Sequence, residues 1–432
     1  MIPIIKYNDM TANKILQKFL ARSQLDLQKE QDLVFKIIQD IQTKKDQALF
    51  EYTKQFDGVS LNSSTVRVTE KEIQNAYKRV DPQYITILQK SIQRIRSYHQ
   101  KQKQLSWFIE EEYGAMLGQK IIPLKNVGVY VPGGKAAYPS SVLMNVIPAK
   151  VAGVERIVMV TPVQELKGIH PATIVAAHEA GIKEIYKIGG AQAIASLAFG
   201  TESIPKVDKI VGPGNIFVAL AKRAVYGYVN IDSIAGPSEI LIIADQYANS
   251  KYIAADLLSQ AEHDELACAI LITDNLELAQ KVQIEVSKQT QYLSRQKIIK
   301  KSLQNFGGII IVENLQEAVT LSNQLAPEHL EICTQSPFEL LPFIKNAGAI
   351  FLGEYSPEPL GDYMAGPNHV LPTNGTAKFF SPLSIDDFTK KSSIISFNKK
   401  SLQQLHEDIE YFARAEGLTA HENAVKVRFQ ND

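Results

Sequence analysis

The fold is decided by the stretch 127–226, which opens with Val127-Gly-Val-Tyr-Val-Pro-Gly-Gly134. Here an apolar run typical of a buried strand passes directly into a proline and glycines. The same change from a short apolar run to a glycine turn recurs at Glu184–Gly190 and at Lys209–Gly214, and helical patterns follow these turns. Alternation of strands and helices predicts right-handed βαβ units with a parallel sheet.

The alternation continues beyond residue 226, far enough along the chain for a second sheet. Strands are predicted at Val127–Val131, Ile157–Val160, Glu184–Ile188, Lys209–Val211, Ile240–Ala244, Ala267–Thr273, Gly308–Val312, Leu330–Cys333 and Ala349–Leu352. Helices are predicted between them, for example at Pro171–Ala180, Asn215–Tyr226, Lys251–His263 and Leu276–Val286. The polar region up to about residue 110 has apolar residues at helical spacing, which predicts mostly helix.

The tail that begins at Ser401 has a different pattern. Its apolar residues fall on one helix face, and Gly417 is suited to end that helix. The segment Thr419-Ala-His-Glu422 has the form of a capping box that opens a last short helix. His421 would then lie in the first turn of that helix.

Composition excludes several classes of protein. The chain of 432 residues has 46 Lys and Arg against 46 Asp and Glu, so its net charge is zero. Nucleic-acid binding as a main function is not expected, since it requires surplus Lys and Arg. The first residues, MIPIIKYNDM, lack the pattern of a signal peptide, and the sequence has no apolar run of about 18 residues, so we expect neither a signal peptide nor a membrane span. The two cysteines, Cys268 and Cys333, are widely spaced and do not form a disulfide framework. We expect a cytoplasmic protein without membrane contact.

Glycine turns at strand ends favour a phosphate-bearing cofactor, because they let backbone N–H groups approach an anion. Turns of this kind occur at Val131–Gly134, Ile188–Gly190 and Val211–Gly214, and another, Ala235–Ser238, precedes a strand. Packing alone accounts for such turns equally often. The segment Gly212-Pro-Gly-Asn-Ile-Phe217 lacks the last glycine of G-x-G-x-x-G, so an ordinary Rossmann site is not supported.

Several polar residues have neighbours that suit chemistry. Gln260 and His263 share one face at a helix end, although a polar helix end is the simpler interpretation. Glu328 and His329 form a natural acid–base pair near neutral pH, or alternatively an ion pair at a strand entrance. The long Gly- and Pro-rich loop 361–373 favours a shaped pocket.

A nucleophilic cysteine would indicate a thioester route, but both cysteines lie in apolar surroundings typical of a core. Two other classes remain open on these residues alone. One is a zinc hydrolase with Glu328 as its base. The other is a non-catalytic α/β protein that binds a histidine-like ligand. The hydrolase hypothesis leaves the glycine turns without a ligand. The binding-protein hypothesis leaves the pair Glu328-His329 without a role.

Taken together and in order, the motifs resemble the histidinol dehydrogenase family. The matching segments are Phe56-Asp-Gly58, Gly128-Val-Tyr-Val-Pro-Gly-Gly134, Gly189-Gly-Ala-Gln-Ala193, Gly212-Pro-Gly-Asn215, Ala235-Gly-Pro-Ser-Glu239, Ser259-Gln-Ala-Glu-His-Asp264, Ala326-Pro-Glu-His-Leu-Glu331, Gly366-Pro-Asn-His-Val-Leu-Pro-Thr373 and Glu416-Gly-Leu-Thr-Ala-His421. Each motif is modest alone, whereas the ordered set is specific. One departure is Ser233-Ile234, where the family often has Met-Pro.

The resemblance implies NAD-linked oxidation of L-histidinol to L-histidine in two steps, through a bound aldehyde, in histidine biosynthesis. It also implies one zinc per subunit and a set of functional residues. The zinc ligands would be Gln260, His263, Asp362 and His421. The acid–base pair would be Glu328 and His329. The further substrate contacts would be Ser238, His369 and Glu416, and the NAD contacts Tyr130, Gln192 and Asn215.

The resemblance further implies an α/β fold with two incomplete Rossmann-like parallel-sheet domains, similar to aldehyde dehydrogenases, and helical extensions at both ends. The implied divisions are a helical extension over 1–25, a first α/β domain over 26–126 and 239–385, a second over 127–238 and a helical tail over 386–432. The family implies a homodimer with shared active sites, in which Glu416 and His421 act in the partner's site.

Overall fold

The computed structural model describes residues 2–7, 27–133, 138–163, 168–234 and 236–430. The chain divides into two compact units, the first Met1–Gln102 with Leu124–Phe388 and the second Lys103–Pro123 with Thr389–Asp432. The first unit contains a five-stranded and a six-stranded sheet, and the second a three-stranded sheet. In both larger sheets all pairs are parallel. The predicted α/β fold class is confirmed.

The strands in chain order are β1 Ile4–Lys6, β2 Trp107–Glu110, β3 Met116–Pro123, β4 Asn126–Tyr130, β5 Arg156–Val160, β6 Glu184–Tyr186, β7 Lys209–Val211, β8 Asn230–Ile231, β9 Glu239–Ala244, β10 Cys268–Thr273, β11 Gly307–Ile311, β12 His329–Cys333, β13 Ala349–Leu352 and β14 Thr389–Ser396. The α-helices are Gln28–Lys44, Asp46–Asp57, Glu70–Tyr77, Pro82–Gln100, Pro139–Ala152, Pro171–Glu179, Gly190–Phe199, Ile216–Val225, Ser250–Ala261, Leu276–Thr290, Gln296–Phe306, Leu315–Leu325, Pro337–Leu340, Glu358–Tyr363, Lys399–Gln403, His406–Ala415 and Thr419–Lys426.

Both parallel sheets reverse their strand order once. The five-stranded sheet has the order β6-β5-β4-β7-β8, and the six-stranded sheet the order β1-β11-β10-β9-β12-β13. The chain therefore changes direction across the sheet between β4 and β7 and again between β9 and β12. Such reversal points open a crevice at the strand ends, which is where ligands bind in open α/β sheets.

The helices between residues 28 and 100 pack against the five-stranded sheet. Residues of Gln28–Lys44 share a buried cluster with β5, and residues of Pro82–Gln100 share another with β4. The division that groups 26–126 with 239–385 stays a prediction, since both ranges fall largely in the first unit. A parallel sheet needs helices on both faces, and these N-terminal helices help to cover the faces of the five-stranded sheet.

Strands were missed at both ends of the chain. Ile4–Lys6 pairs with β11, so this part of the expected helical extension 1–25 is a strand, while residues 8–25 lie outside the described ranges. The expected helical tail 386–432 begins with Thr389–Ser396, which pairs antiparallel with β3. Its residues Thr-Lys-Lys-Ser-Ser-Ile-Ile-Ser give no alternating apolar pattern, because this strand is largely exposed.

The tail helices differ in detail from the expectation. The single helix expected from Ser401 is two helices, Lys399–Gln403 and His406–Ala415. Gly417 has the positive φ of 74° expected after a helix end. The capping box at Thr419 is wrong, since Leu418 is the N-cap and the Glu422 carboxylate pairs with Arg414.

Outside the gaps named above, the helices include none that combines the length and the apolar content needed to cross a membrane.

Candidate active site

The pair Glu328 and His329 lies where β12 begins, next to the start of β9. His329 is paired with Ile240 in the parallel register of these strands, so Glu328 comes to lie beside Glu239. The Glu239 amide donates to the Glu328 carboxylate at 2.8 Å, and the Glu328 amide donates to the Glu239 carboxylate at 3.3 Å. This reciprocal pair of hydrogen bonds fixes Glu328 at the strand entrance.

The side chains of Glu328 and His329 lie close together at the strand entrance. His329 Nδ1 lies 3.6 Å from Glu328 Oε2, and both residues are buried. His329 Nδ1 also lies 2.9 Å from the Glu239 carbonyl oxygen. A carbonyl oxygen only accepts, so this contact is a hydrogen bond when Nδ1 carries the ring hydrogen and Nε2 keeps a lone pair. In that tautomer the Gln260 amide nitrogen, 3.0 Å from Nδ1, faces a second donor and makes no hydrogen bond there. Burial lowers the pKa of His329 to about 4, so the imidazole is neutral at pH 7.

Glu328 is the opposite case, because burial raises the pKa of its carboxyl well above the usual value. The neighbouring Glu239 carboxylate raises the pKa further, against the hydrogen bond from the Glu239 amide. A carboxyl and an imidazole with pKa values shifted in opposite directions by one buried environment are typical of acid–base sites.

Metal-ligand atoms gather beside this pair. One ligand atom each from His263, Glu358 and Asp362 lie within 4.8 Å of one another. Gln260 Oε1 is buried and has no hydrogen-bond partner among the described residues, while its Nε2 lies 3.0 Å from His329 Nδ1. The structure thus brings together three of the four predicted zinc ligands, Gln260, His263 and Asp362, at one cleft.

The ionisation of these groups suits a cation. Burial lowers the pKa of His263, which keeps its ring neutral and able to coordinate. Burial opposes ionisation of Asp362, but His369 Nδ1 at 3.1 Å and the nearby imidazoles lower the pKa of its carboxyl below the usual value. Asp362 is therefore an anion beside the neutral ring of His263. It also contacts Glu358 and the predicted substrate residue His369.

Glu358 is a functional candidate that sequence reasoning missed. Burial raises the pKa of its carboxyl to about 9, with the Asp362 carboxylate adding to the shift. Its Oε1 lies 3.8 Å from His329 Nε2, and its backbone amide donates to Glu331 Oε1 at 2.8 Å. The signal was its spacing: Glu358 lies four residues before Asp362, which puts both on one face of the helix Glu358–Tyr363.

The predicted site residues of the first unit line two cavities. A cleft of about 890 Å³ is lined by the metal-ligand candidates, the acid–base pair and the predicted substrate contacts Ser238 and His369. Glu416 and His421 belong to the second unit, where both are exposed. Glu416 follows the helix His406–Ala415, and His421 lies in the first turn of Thr419–Lys426 as expected.

The second cavity, of about 570 Å³, is lined by all three residues predicted to contact NAD. The Tyr130 hydroxyl accepts from the Gly190 amide at 3.2 Å, and the Asn215 side chain caps the helix Ile216–Val225. Gln192 is buried, and its Nε2 has no partner among the described residues. Pro132, Gly133 and Asn215 line both cavities, so the two are neighbours.

The glycine turn after β7 lets the backbone pass close to the end of β4. Gly212 has a φ of 113°, and a Cβ there would lie 2.0 Å from the Tyr130 carbonyl oxygen. A buried lysine supports the turn: Lys222 Nζ donates to the Gly212 carbonyl at 3.0 Å and pairs with Asp232. Only glycine fits this position, which brings the backbone before Asn215 close to the end of β4.

The cysteines are core residues, as expected. Cys268 and Cys333 are buried in β10 and β12, and neither forms a disulfide within the part of the chain that the structure describes. Burial raises the pKa of the Cys333 thiol, and the nearby Glu331 carboxyl adds to the rise. A thiolate is the nucleophilic form of cysteine, so the thioester route has no nucleophile in Cys333.

Comparison with known proteins assigns the family. The model of the family "Histidinol dehydrogenase" matches residues 20–429. The chain belongs to the histidinol dehydrogenase family. Histidinol dehydrogenase from Caldanaerobacter subterraneus subsp. tengcongensis is 58% identical over 432 residues, which is 100% of each chain. That from Clostridium acetobutylicum is 54% identical over 100% of this chain and 99% of its own.

Solved structures agree with this assignment. The crystal structure of histidinol dehydrogenase from Elizabethkingia anophelis has a TM-score of 0.89 and 41% identity, and the match covers 94% of this chain and 92% of that chain. Membership of the histidinol dehydrogenase family makes the chain an oxidoreductase that acts on a CH–OH group. The hydrolase hypothesis is set aside on this basis.

Proposed function

We propose that this histidinol dehydrogenase oxidises L-histidinol to L-histidine in two successive NAD-linked steps, with bound L-histidinaldehyde between them and one zinc per subunit. The observation that supports the proposal is the meeting of a buried acid–base pair with a cluster of metal-ligand atoms in one cleft, which adjoins the cavity of the NAD candidates. The family model supports the same substrate.

The residues at the two cavities offer atoms that suit zinc and NAD. Gln260 Oε1, His263 and Asp362 offer oxygen and nitrogen atoms to zinc, and Gln260 Oε1 has no competing partner among the described residues. When bound, zinc is a Lewis acid that can orient the imidazole and amino nitrogens of the substrate. Gln192 Nε2 is a buried donor without an acceptor in the described part, which suits an oxygen of NAD, the carrier of hydride when bound.

His329 and Glu328 divide the proton transfers. His329 lines the cleft, and its Nε2 lone pair takes the proton of the substrate hydroxyl, while Nδ1–H is held by the Glu239 carbonyl. Glu328 deprotonates the water that adds to the aldehyde, while protonated His329 returns its proton to the aldehyde oxygen and so becomes neutral again. Glu328 then releases its proton to solvent, and His329 takes the proton of the hydrate in the second oxidation. Ser238 and His369 position the substrate, and Asp362 holds His369.

The test is NADH formation by the purified protein with L-histidinol, NAD and zinc, scored as NADH per histidinol consumed. A ratio of about two, abolished by a chelator and restored by zinc, is expected because each oxidation transfers one hydride. A ratio of about one would indicate an alcohol dehydrogenase that releases its aldehyde. No NADH with metal bound would contradict the proposal.

Removing one of the proposed zinc ligands should release the metal. We expect His263→Ala to weaken zinc binding by at least the ~10–100-fold typical of outer-shell partners, because a direct ligand contributes more. Zinc content after dialysis against a graded chelator measures the effect. His178→Ala is the matched control, since His178 is exposed and far along the chain from the cluster. Equal zinc content in both variants would remove His263 from the set.

We propose that the fourth ligand is His421 from the partner subunit of a homodimer, with Glu416 contacting the same substrate. Both residues are exposed in the second unit. His421→Ala and His329→Ala chains, each inactive alone, should regain activity in mixed dimers, because one of the two sites then has both residues intact. Confirmed mixed dimers without recovered activity would count against a shared site.

A further inference from the structure

Asp57 lies in the cavity of the NAD candidates, and no role proposed above includes it. It is the last residue of the helix Asp46–Asp57, and Gly58 follows it with a φ of 73°. Its carboxyl lines the cavity together with Tyr130, Gln192 and Asn215. It does not line the neighbouring cleft of the acid–base pair.

The Asp57 carboxylate has no partner that would explain its position. Its Oδ2 is buried and makes no hydrogen bond to any described residue. It stands at a helix C-terminus, where the partial negative charge of the helix disfavours an anion. Burial raises the pKa of its carboxyl to about 6, still below neutral pH. Buried polar groups without a partner are rare, and a missing ligand is one explanation.

The rest of the cavity indicates what this ligand is. Its walls are largely apolar and include Leu33, Ile37, Phe56, Pro162 and Phe217. Among the described residues that line it, Asp57 Oδ2, an acceptor, and Gln192 Nε2, a donor, are buried and have no hydrogen-bond partner. A nucleotide has the matching parts: a flat base for the apolar walls, hydroxyl donors for the carboxylate and phosphate oxygens for the amide.

The position of Asp57 indicates which half of a bound dinucleotide it would contact. The nicotinamide must reach the cleft that contains His329, and Pro132, Gly133 and Asn215 connect that cleft to the second cavity. Asp57 lies only in the second cavity, and therefore belongs with the half of the dinucleotide remote from the reacting carbon. That half is the adenosine.

We propose that Asp57 accepts hydrogen bonds from the 2′- and 3′-hydroxyls of the adenosine ribose, and that it thereby selects NAD over NADP. The inference rests on the proposed function, since it takes NAD as the cofactor. A carboxylate is the usual partner of the ribose 2′-hydroxyl in NAD sites, and it repels a 2′-phosphate. Here it comes from the end of a helix in the polar N-terminal region, outside the parallel sheet.

The test is the dissociation constant of NAD and of NADP, measured by calorimetry on the full-length protein. Asp57→Asn keeps the shape of the side chain but removes its charge. We expect it to raise the NAD dissociation constant about 10- to 100-fold and to narrow the preference for NAD over NADP by a similar factor. Glu51→Gln, an exposed position on the same helix, is the control and should change neither constant.

Thermal unfolding of the ligand-free variant separates binding from folding. Removing an unpartnered buried charge should leave the Tm at or above that of the wild type. A lower Tm with weaker NAD binding would assign Asp57 a structural role and overturn the inference. If Asp57→Asn binds NAD with the dissociation constant of the wild type, the proposed ribose contact is overturned, while NAD stays the proposed cofactor. No NAD binding by the wild type would overturn the cofactor assignment and the inference with it.

Discussion

Replacing His329 by glutamine should lower kcat by about 10²–10⁴-fold, the usual contribution of general acid–base catalysis. His329 lines the cleft, and its imidazole Nε2 is the proposed proton acceptor, with Nδ1–H held by the Glu239 carbonyl. A glutamine amide retains a hydrogen-bonding end but cannot take a proton at neutral pH. Both oxidations should therefore slow, because each needs a proton acceptor at the same place.

Steady-state rates with L-histidinol and with L-histidinaldehyde measure the two oxidations separately. Zinc content and NAD affinity of His329→Gln should equal those of the wild type, which separates a loss of chemistry from a loss of binding. The control is His178→Gln, at an exposed position. A raised KM with an unchanged kcat would mean that His329 only positions the substrate.

Glu328→Gln should slow the second oxidation about 10²–10⁴-fold while aldehyde formation continues. Only the second oxidation needs water, and Glu328 is the group proposed to activate that water. The amide oxygen of glutamine can still accept the hydrogen bond from the Glu239 backbone, so the strand entrance should be preserved. The NADH formed per histidinol should fall from about two towards one as the aldehyde becomes the main product.

Single-turnover experiments with each substrate test this division of roles. Glu354→Gln, at an exposed position after β13, is the matched control and should leave both rates unchanged. An equal loss in both oxidations would contradict the assignment of Glu328 to hydration alone. It would instead make Glu328 and His329 one unit that acts in every proton transfer.

The parallel sheets could be predicted from the sequence because their strands are buried on both faces. Such strands consist of short continuous apolar runs, as in Ile240–Ala244, which lies inside the observed β9. The glycine turns were equally informative, since Gly212 occupies a backbone position open only to glycine. The strand Thr389–Ser396 was missed for the opposite reason: it is largely exposed and has no apolar run.

The candidate site likewise has a part that could be predicted from the sequence and a part that could not. The sequence by itself determined two pairs of candidates, because both relations are local. One pair is Gln260, in the last turn of the helix Ser250–Ala261, with His263, two residues beyond its end, and the other is the neighbours Glu328 and His329. Only the tertiary structure decided where they meet. The parallel register of β9 and β12 places Glu239 against the pair, at the strand starts and not at the carboxyl ends where open sheets usually bind ligands.

Glu358 and Asp57 show most clearly what the sequence leaves open. Glu358 is the first residue of its helix and Asp57 the last residue of its own, and a charged side chain at a helix end gives no sign of burial in the sequence. Each becomes a site candidate only when distant segments enclose it: Glu358 beside His329, and Asp57 in a cavity with Gln192. Burial changes the ionisation of a carboxyl, and burial is a property of the packed chain. The sequence determined the strands and the local pairs, and the packing decided which carboxyls face a ligand.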